Sequence, residues 1–211
     1  MRNRRRSHSL HPRSSVQADF AVELGADDET LEMPWTAEAG GPRYYDVKRH
    51  PELLLNVVEA QGAPEMRRFL SAVNAPAGAL ETAKCDLWSS TEMNPEEGIF
   101  GATHKFGSYV DVLFSDNSSR LSFARHEQLA KLLDGLLKQV PDIPAAAEFL
   151  IRRCYYHDEK GIRDGFYITF YLFGYGDDKL QARQRWAIGL KLVENAIRSR
   201  CSPEGPKKGI R

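Results

Sequence analysis

Nothing in this sequence approaches the roughly 18 consecutive apolar residues that a membrane-spanning helix needs. The longest apolar stretch, FYITFYLFGY at 166–175, is short and aromatic. Cysteine is scarce: Cys85, Cys154 and Cys201 are odd in number and widely spaced. Such a set excludes a secreted disulfide framework and a CxxC metal pair, and makes reduced thiols in a cytoplasmic protein the plain reading. An excess of one charge is missing too. With 29 basic residues against 29 acidic ones, no global field favours nucleic acid or an anionic membrane as partner.

Recognisable catalytic patterns are equally absent. The histidines His8, His11, His50, His104, His126 and His157 form no HExxH and no i/i+4 pair, which removes the common metal signatures. GIFGATHKFG (98–107) holds three glycines but matches neither a P-loop nor a dinucleotide fingerprint. GYGDDKLQ (174–181) passes from strand to helix, yet Asp177 and Asp178 occupy the helix start, where an incoming phosphate would sit. No cofactor and no metal is expected, and no catalytic residue is identified.

What is present is an ordinary globular composition with asymmetric ends. Residues 1–32 read as a disordered tail, with Arg2, Arg4, Arg5, Arg6 and Arg13 followed by the acidic Asp19, Glu23, Asp27, Asp28, Glu29 and Glu32. The arginine and serine bias is like that of an organellar transit peptide or a basic nucleic-acid arm, without the apolar stripe of the first. Met33 offers a second translation start to set beside Met1. Residues 33–202 read as a single α+β domain, and 203–211 as a C-terminal tail.

Within the domain, 33–79 comprise an irregular lead-in, with the aromatics Trp35, Tyr44 and Tyr45, and an αα-hairpin. The hairpin is read from PELLLNVVEA and PEMRRFLSAVNA, each opening on a proline and carrying an apolar stripe. A first ββα unit spans 80–141. In it ETAKCDLWSST (81–91) and FGSYVDVLFSD (106–116) alternate at period two, and HEQLAKLLDGLLKQV has helical spacing closed by Pro141. RLSFA (120–124) fits either the start of that helix or a short strand. A second unit spans 146–200, from EFLIRRCYYHD, GFYITFYLFGY and DKLQARQRWAIGLKLVENAIRSR. KCDLW against RCYYH, and GSYVDVLF against GFYITFYL, suggest an internal duplication. The expected fold is therefore one mostly antiparallel sheet with two long helices on one face. Its ββαββα order is that of a circularly permuted ferredoxin-like βαββαβ unit, a statement of topology alone.

Alternation splits the strands into two rows. If Ala83, Cys85, Val110, Val112, Phe166, Ile168 and Phe170 meet the helices, the other face carries Asp86, Trp88, Tyr109, Asp111, Arg153, Tyr155, His157, Tyr167, Tyr171 and Tyr175. Each such ring can bury about 150–250 Å², and a monomer rarely exposes an apolar patch beyond a few hundred Å². Something should therefore cover part of this face: the lead-in, a second copy or another protein, or a small ligand. The expectation is a non-enzymatic binding or protein-interaction module working through the aromatic face, as a homo-oligomer or with another protein. The alternative is a small enzyme with a pocket between that face and the N-terminal helices. In that case Asp86, Asp111 and His157 supply acid/base chemistry and Arg153 holds an anionic group.

Overall fold

The computed structural model describes residues 16–37, 43–140, 143–159 and 161–201. The arginine-rich start of the expected tail, Gly40 to Pro42, Pro141 and the tail 203–211 lie outside the described residues. Six strands are present: β1 (Gln17–Glu23), β2 (Thr30–Met33), β3 (Leu80–Ser90), β4 (His104–Phe114), β5 (Ala145–Asp158) and β6 (Gly161–Gly176). They form one mixed sheet in the order β1-β5-β6-β4-β3, with β2 also paired to β5. The pairs β3–β4, β4–β6 and β5–β6 are antiparallel. β1 and β2 instead run parallel to β5. The run β5-β6-β4-β3 is the strand order that a permuted ferredoxin-like unit requires.

β1 and β2 correct the reading of 1–32 as tail. QADFAVE alternates Ala18, Phe20 and Val22 with Gln17, Asp19 and Glu23, a weak period-two signal hidden by acidic composition. Pairing from Gln17↔Ala146 to Glu23↔Arg152, and then from Thr30↔Arg153 to Met33↔Tyr156, satisfies the outer edge of β5. That gain in backbone hydrogen bonding overrides the local preference for disorder.

The helices are a 3-10 turn (Pro51–Asn56), α1 (Val58–Gly62), α2 (Pro64–Val73), a second 3-10 turn (Pro95–Phe100), α3 (Asn117–Arg120), α4 (Phe123–Leu137) and α5 (Lys179–Cys201). The first segment of the expected αα-hairpin is broken. Val57 is extended, at φ −83° and ψ 110°, and separates the 3-10 turn from α1. Of the stripe Leu53, Leu54, Val57 and Val58 that the sequence implies, Leu54 is buried and Val58 is exposed. RLSFA is divided, since Arg120 ends α3 and Phe123 opens α4.

α4 and α5 pack on one face, where Leu129, Leu133, Trp186, Leu190 and Val193 meet Phe149, Ile168, Phe170, Val110 and Val112. α2 joins the same layer through Met66, Phe69, Leu70 and Val73. The helix α5 approaches β6 so closely that a Cβ on Gly174 would lie 2.1 Å from the Trp186 nitrogen and 2.3 Å from the Ala182 oxygen. Only glycine fits there. Trp186 also donates from Nε1 to Ser108 Oγ at 2.8 Å, which satisfies its buried N–H.

One local irregularity matters for the site. The register of β3 on β4 shifts between Thr82 and Cys85, a bulge that puts both of those residues toward the helices. Ala83 therefore leaves the helical row and joins Leu113, Cys154 and Tyr167 on the opposite side. The cysteines aligned in the proposed duplication separate in the same way: Cys85 packs against the helical core and Cys154 against the other cluster.

Candidate functional site

The sheet face away from the helices follows from the register. Tyr109↔Tyr171 and Asp111↔Thr169 pair across β4 and β6, and Asp86↔Tyr109 and Trp88↔Gly107 pair across β3 and β4. Asp86, Trp88, Tyr109, Asp111, Tyr167, Tyr171 and Tyr175 thus share one side. On β5 the row is the reverse of the expected one. Arg152↔Tyr167 pairing brings Glu148, Leu150, Arg152, Cys154 and Tyr156 onto this face. Arg153, Tyr155 and His157 fall on the helical side, at the end of the hairpin. Arg153 is exposed and donates to the Leu24 carbonyl at 3.3 Å, and His157 is bonded to Glu32. Alternation alone could not set this phase, because either row of EFLIRRCYYHD contains an arginine.

One end of the face is filled by the chain itself. Leu31, Met33, Trp35 and Tyr44 pack on Leu113, Cys154, Tyr156 and Tyr167, and Tyr167 is 0% exposed. Trp35 reaches across to β3, donating from Nε1 to the Ala83 carbonyl at 3.2 Å. The Lys84 ammonium lies 5.4 Å from its ring centroid. At the other end the turn Pro95–Phe100 folds over Tyr175. Phe100 stacks on that ring at 4.4 Å, and the Tyr175 hydroxyl donates to Glu97 at 2.8 Å. Lys105 binds both oxygens of the same carboxylate at 3.0 Å.

Between these covers lie Trp88, Tyr109, Tyr171 and Phe173, all half-buried. Tyr109 and Tyr171 are 5.9 Å apart, and Tyr171 and Phe173 are stacked at 6.3 Å. Trp88 lies over Gly107, whose absent Cβ would come within 2.8 Å of the indole, and meets Phe173 edge-on at 6.0 Å. The glycine makes room for the indole against the sheet, so part of Trp88's role is packing.

Beneath these rings runs a buried polar thread. Arg152 donates from Nε to Glu23 at 2.7 Å and from Nη1 to Glu29 at 2.9 Å and Thr169 Oγ1 at 3.2 Å. Thr169 in turn donates to Asp111 Oδ1 at 2.7 Å. Asp111 is 2% exposed. Burial, opposed by the Thr169 hydrogen bond, pushes its carboxyl up to about 7. The thread ties the β1–β2 edge to the centre of the sheet, and sequence reasoning missed it because placing Arg153 on this face leaves no room for Arg152 there.

Two of the grooves that border the face take up acid/base candidates. One, of about 500 Å³, wraps the edge of β3 and includes Trp35, Tyr45, Glu59, Cys85, Asp86 and Tyr109. The other, of about 470 Å³, is lined by Tyr44, Glu81, Arg120, Tyr156, His157 and Arg163 among others. Asp86 therefore opens into the first groove and His157 into the second, while Asp111 and Arg153 line neither. The four groups of the enzyme alternative do not converge on one volume. Burial, with Glu59 beside it, raises the Cys85 thiol, and burial pushes Cys154 up to about 12. Neither is activated as a nucleophile.

Among the described residues no group of three or more His, Cys, Asp or Glu side chains is placed to hold a metal ion. None of the described helices is long and apolar enough to cross a membrane. Comparison with known proteins finds no matching family, no similar characterised protein and no similar solved structure.

Proposed function

We propose that this protein is a non-enzymatic binding module whose contact surface is the open middle of the aromatic sheet face, with another polypeptide as partner. The observation that carries the reading is the row Trp88, Phe173, Tyr171 and Tyr109. These rings stay half-buried on a rigid sheet although the same chain seals Tyr167 and Tyr175 on either side. Aromatic anchors held by a stiff backing are what interfaces use, because little side-chain freedom is lost on binding. The free thiols of Cys85 and Cys154 support a reducing, cytoplasmic setting.

A photo-reactive phenylalanine analogue placed at Tyr171 is expected to cross-link a protein in cells, whereas the same group at exposed Ile188 on α5 is not. A second copy as the partner shows as a doubled solution mass that Tyr171→Ser abolishes. The reading fails if the Tyr171 position yields no adduct and the mass stays that of one chain.

A further inference from the structure

Strand register sets the residues of the open middle in a line that runs from β1 to β3. Asp19 pairs with Glu148, Glu148 with Tyr171, Tyr171 with Tyr109, and Tyr109 with Asp86. In that direction the row is carboxylate, carboxylate, ring, ring, carboxylate. Asp19, Glu148 and Asp86 are exposed, and both tyrosines are half-buried. Asp19 and Asp86 each accept the next residue's backbone N–H, from Phe20 at 2.8 Å and from Leu87 at 2.7 Å. Among the described residues no ion pair holds any of the three carboxylates.

The cations near the row are already engaged. Arg152 is paired with Glu23 and Glu29, Lys105 with Glu97, and Lys138 with Asp134, while Lys84 lies over Trp35. Burial, with Glu23 and Asp19 close by, raises the Glu148 carboxyl, so negative charge at that end is not offset within the chain. The rings themselves take cations: the Arg152 guanidinium lies 5.9 Å from the Tyr171 centroid, and the Lys105 ammonium 5.6 Å from that of Phe173. Two rings between unpaired carboxylates suit arginine, whose planar guanidinium stacks on an aromatic face while donating to a carboxylate. Spacing narrows the choice further. Glu148 and Asp86 stand three strand spacings apart, about 14 Å. In an extended peptide alternate side chains share one side and recur about every 7 Å, so three of them span about the same distance.

Building on the binding-face reading above, we propose that the polypeptide bound there presents an extended segment with arginines at alternate positions, Arg-X-Arg-X-Arg, laid across the strands along this row. The first guanidinium pairs with Glu148 and Asp19, the second stacks on Tyr171 and Tyr109, and the third pairs with Asp86. Arginine is favoured over lysine because a planar guanidinium stacks and pairs at once.

The test titrates the full chain with the synthetic peptide acetyl-GSRSRSRSG-amide, and with versions carrying citrulline or lysine in place of its arginines. Saturable shifts are expected in the backbone amide resonances of Asp86, Tyr109, Glu148 and Tyr171. The arginine peptide should bind roughly tenfold or more tighter than the citrulline peptide, and roughly threefold or more tighter than the lysine peptide. Asp86→Asn combined with Glu148→Gln, at two exposed positions, should weaken its binding by roughly tenfold or more with the urea midpoint unchanged. Glu52→Gln, which removes an exposed charge beside α5, should leave binding unaltered. Equal affinity for the citrulline or the lysine peptide overturns the proposal, and so does undiminished binding to the double variant. A Tyr171 cross-link in cells that the double variant leaves intact also overturns it, while the binding-face reading stands. That reading is decided by whether the parent chain gives an adduct or a doubled mass, so the two failures are separately visible.

Discussion

Tyr167 and Tyr171 stand four residues apart on the same strand and the same face, and their surroundings have little in common. Tyr167 is sealed under Leu31, Met33, Trp35 and Tyr44. Tyr171 meets Tyr109 and Phe173 with one side toward solvent, and the Arg152 guanidinium lies 5.9 Å from its ring centroid. The contrast shows that an aromatic row on a strand is no single functional unit. The chain spends the lead-in on one half of the row, where the rings become a second hydrophobic cluster. The other half keeps its rings above a polar thread that holds the sheet without covering them.

The comparison breaks most sharply if the ring at 167 is removed. Tyr167→Ser should destabilise the protein by about 3–5 kcal/mol, as expected for deleting a fully buried aromatic side chain, read from urea unfolding midpoints. An effect under about 1 kcal/mol would mean that the lead-in does not pack there. Next in size is Arg152→Met, which leaves Glu23, Glu29 and Thr169 without their common donor. Because the two glutamates are partly exposed, screening reduces the loss to about 2–3 kcal/mol. Hydrogen exchange should show β1 and β2 opening before the rest of the sheet.

Asp111→Asn sharpens the comparison through pH. A carboxyl whose folded pKa is raised to about 7 makes the native state bind more protons than the unfolded one above about pH 4. Its contribution is therefore unfavourable: absent at low pH, growing as pH rises, and complete above about pH 7. Asn keeps an acceptor for Thr169 and removes the buried charge. The variant's stability relative to the parent should therefore rise by on the order of 2 kcal/mol between pH 4 and pH 8. Equal pH slopes for the two proteins would place the charge in a better-solvated site. The smallest effect belongs to Tyr171→Ser, expected to cost about 1 kcal/mol or less in the same urea titrations. A loss as large as that of Tyr167→Ser would make the whole row core.

Much of the fold was legible because its signals are local. The two hairpins, the strand-to-helix passage at Asp178 and the stripes of α4 and α5 are written in adjacent residues. Pro64 opens α2 as the sequence implies. The strands at 17–33 were not legible, since acidic side chains dominate their composition and their stability comes from β5, more than a hundred residues away. Lys48 is a similar case: its ammonium donates to the Ala75, Gly78 and Leu80 carbonyls at 2.7–2.9 Å, a role that no local pattern announces.

By itself the sequence determined that this chain builds a helix-backed sheet whose central strand β6 has two apolar rows. Alternation at period two is a property of the extended backbone, and it assigns neighbours to opposite sides whatever the surroundings. Only the tertiary structure decided the phase of that alternation and what lies over each row. A bulge at Thr82–Cys85 moves Ala83 across the sheet, and the pairing of Arg152 with Tyr167 turns Arg153, Tyr155 and His157 away from the face. Segments far off in sequence cover Tyr167 and Tyr175 and leave Tyr171 open. Register and coverage are set by cross-strand hydrogen bonds and long-range packing, which depend on pairs of residues that no window along the chain contains.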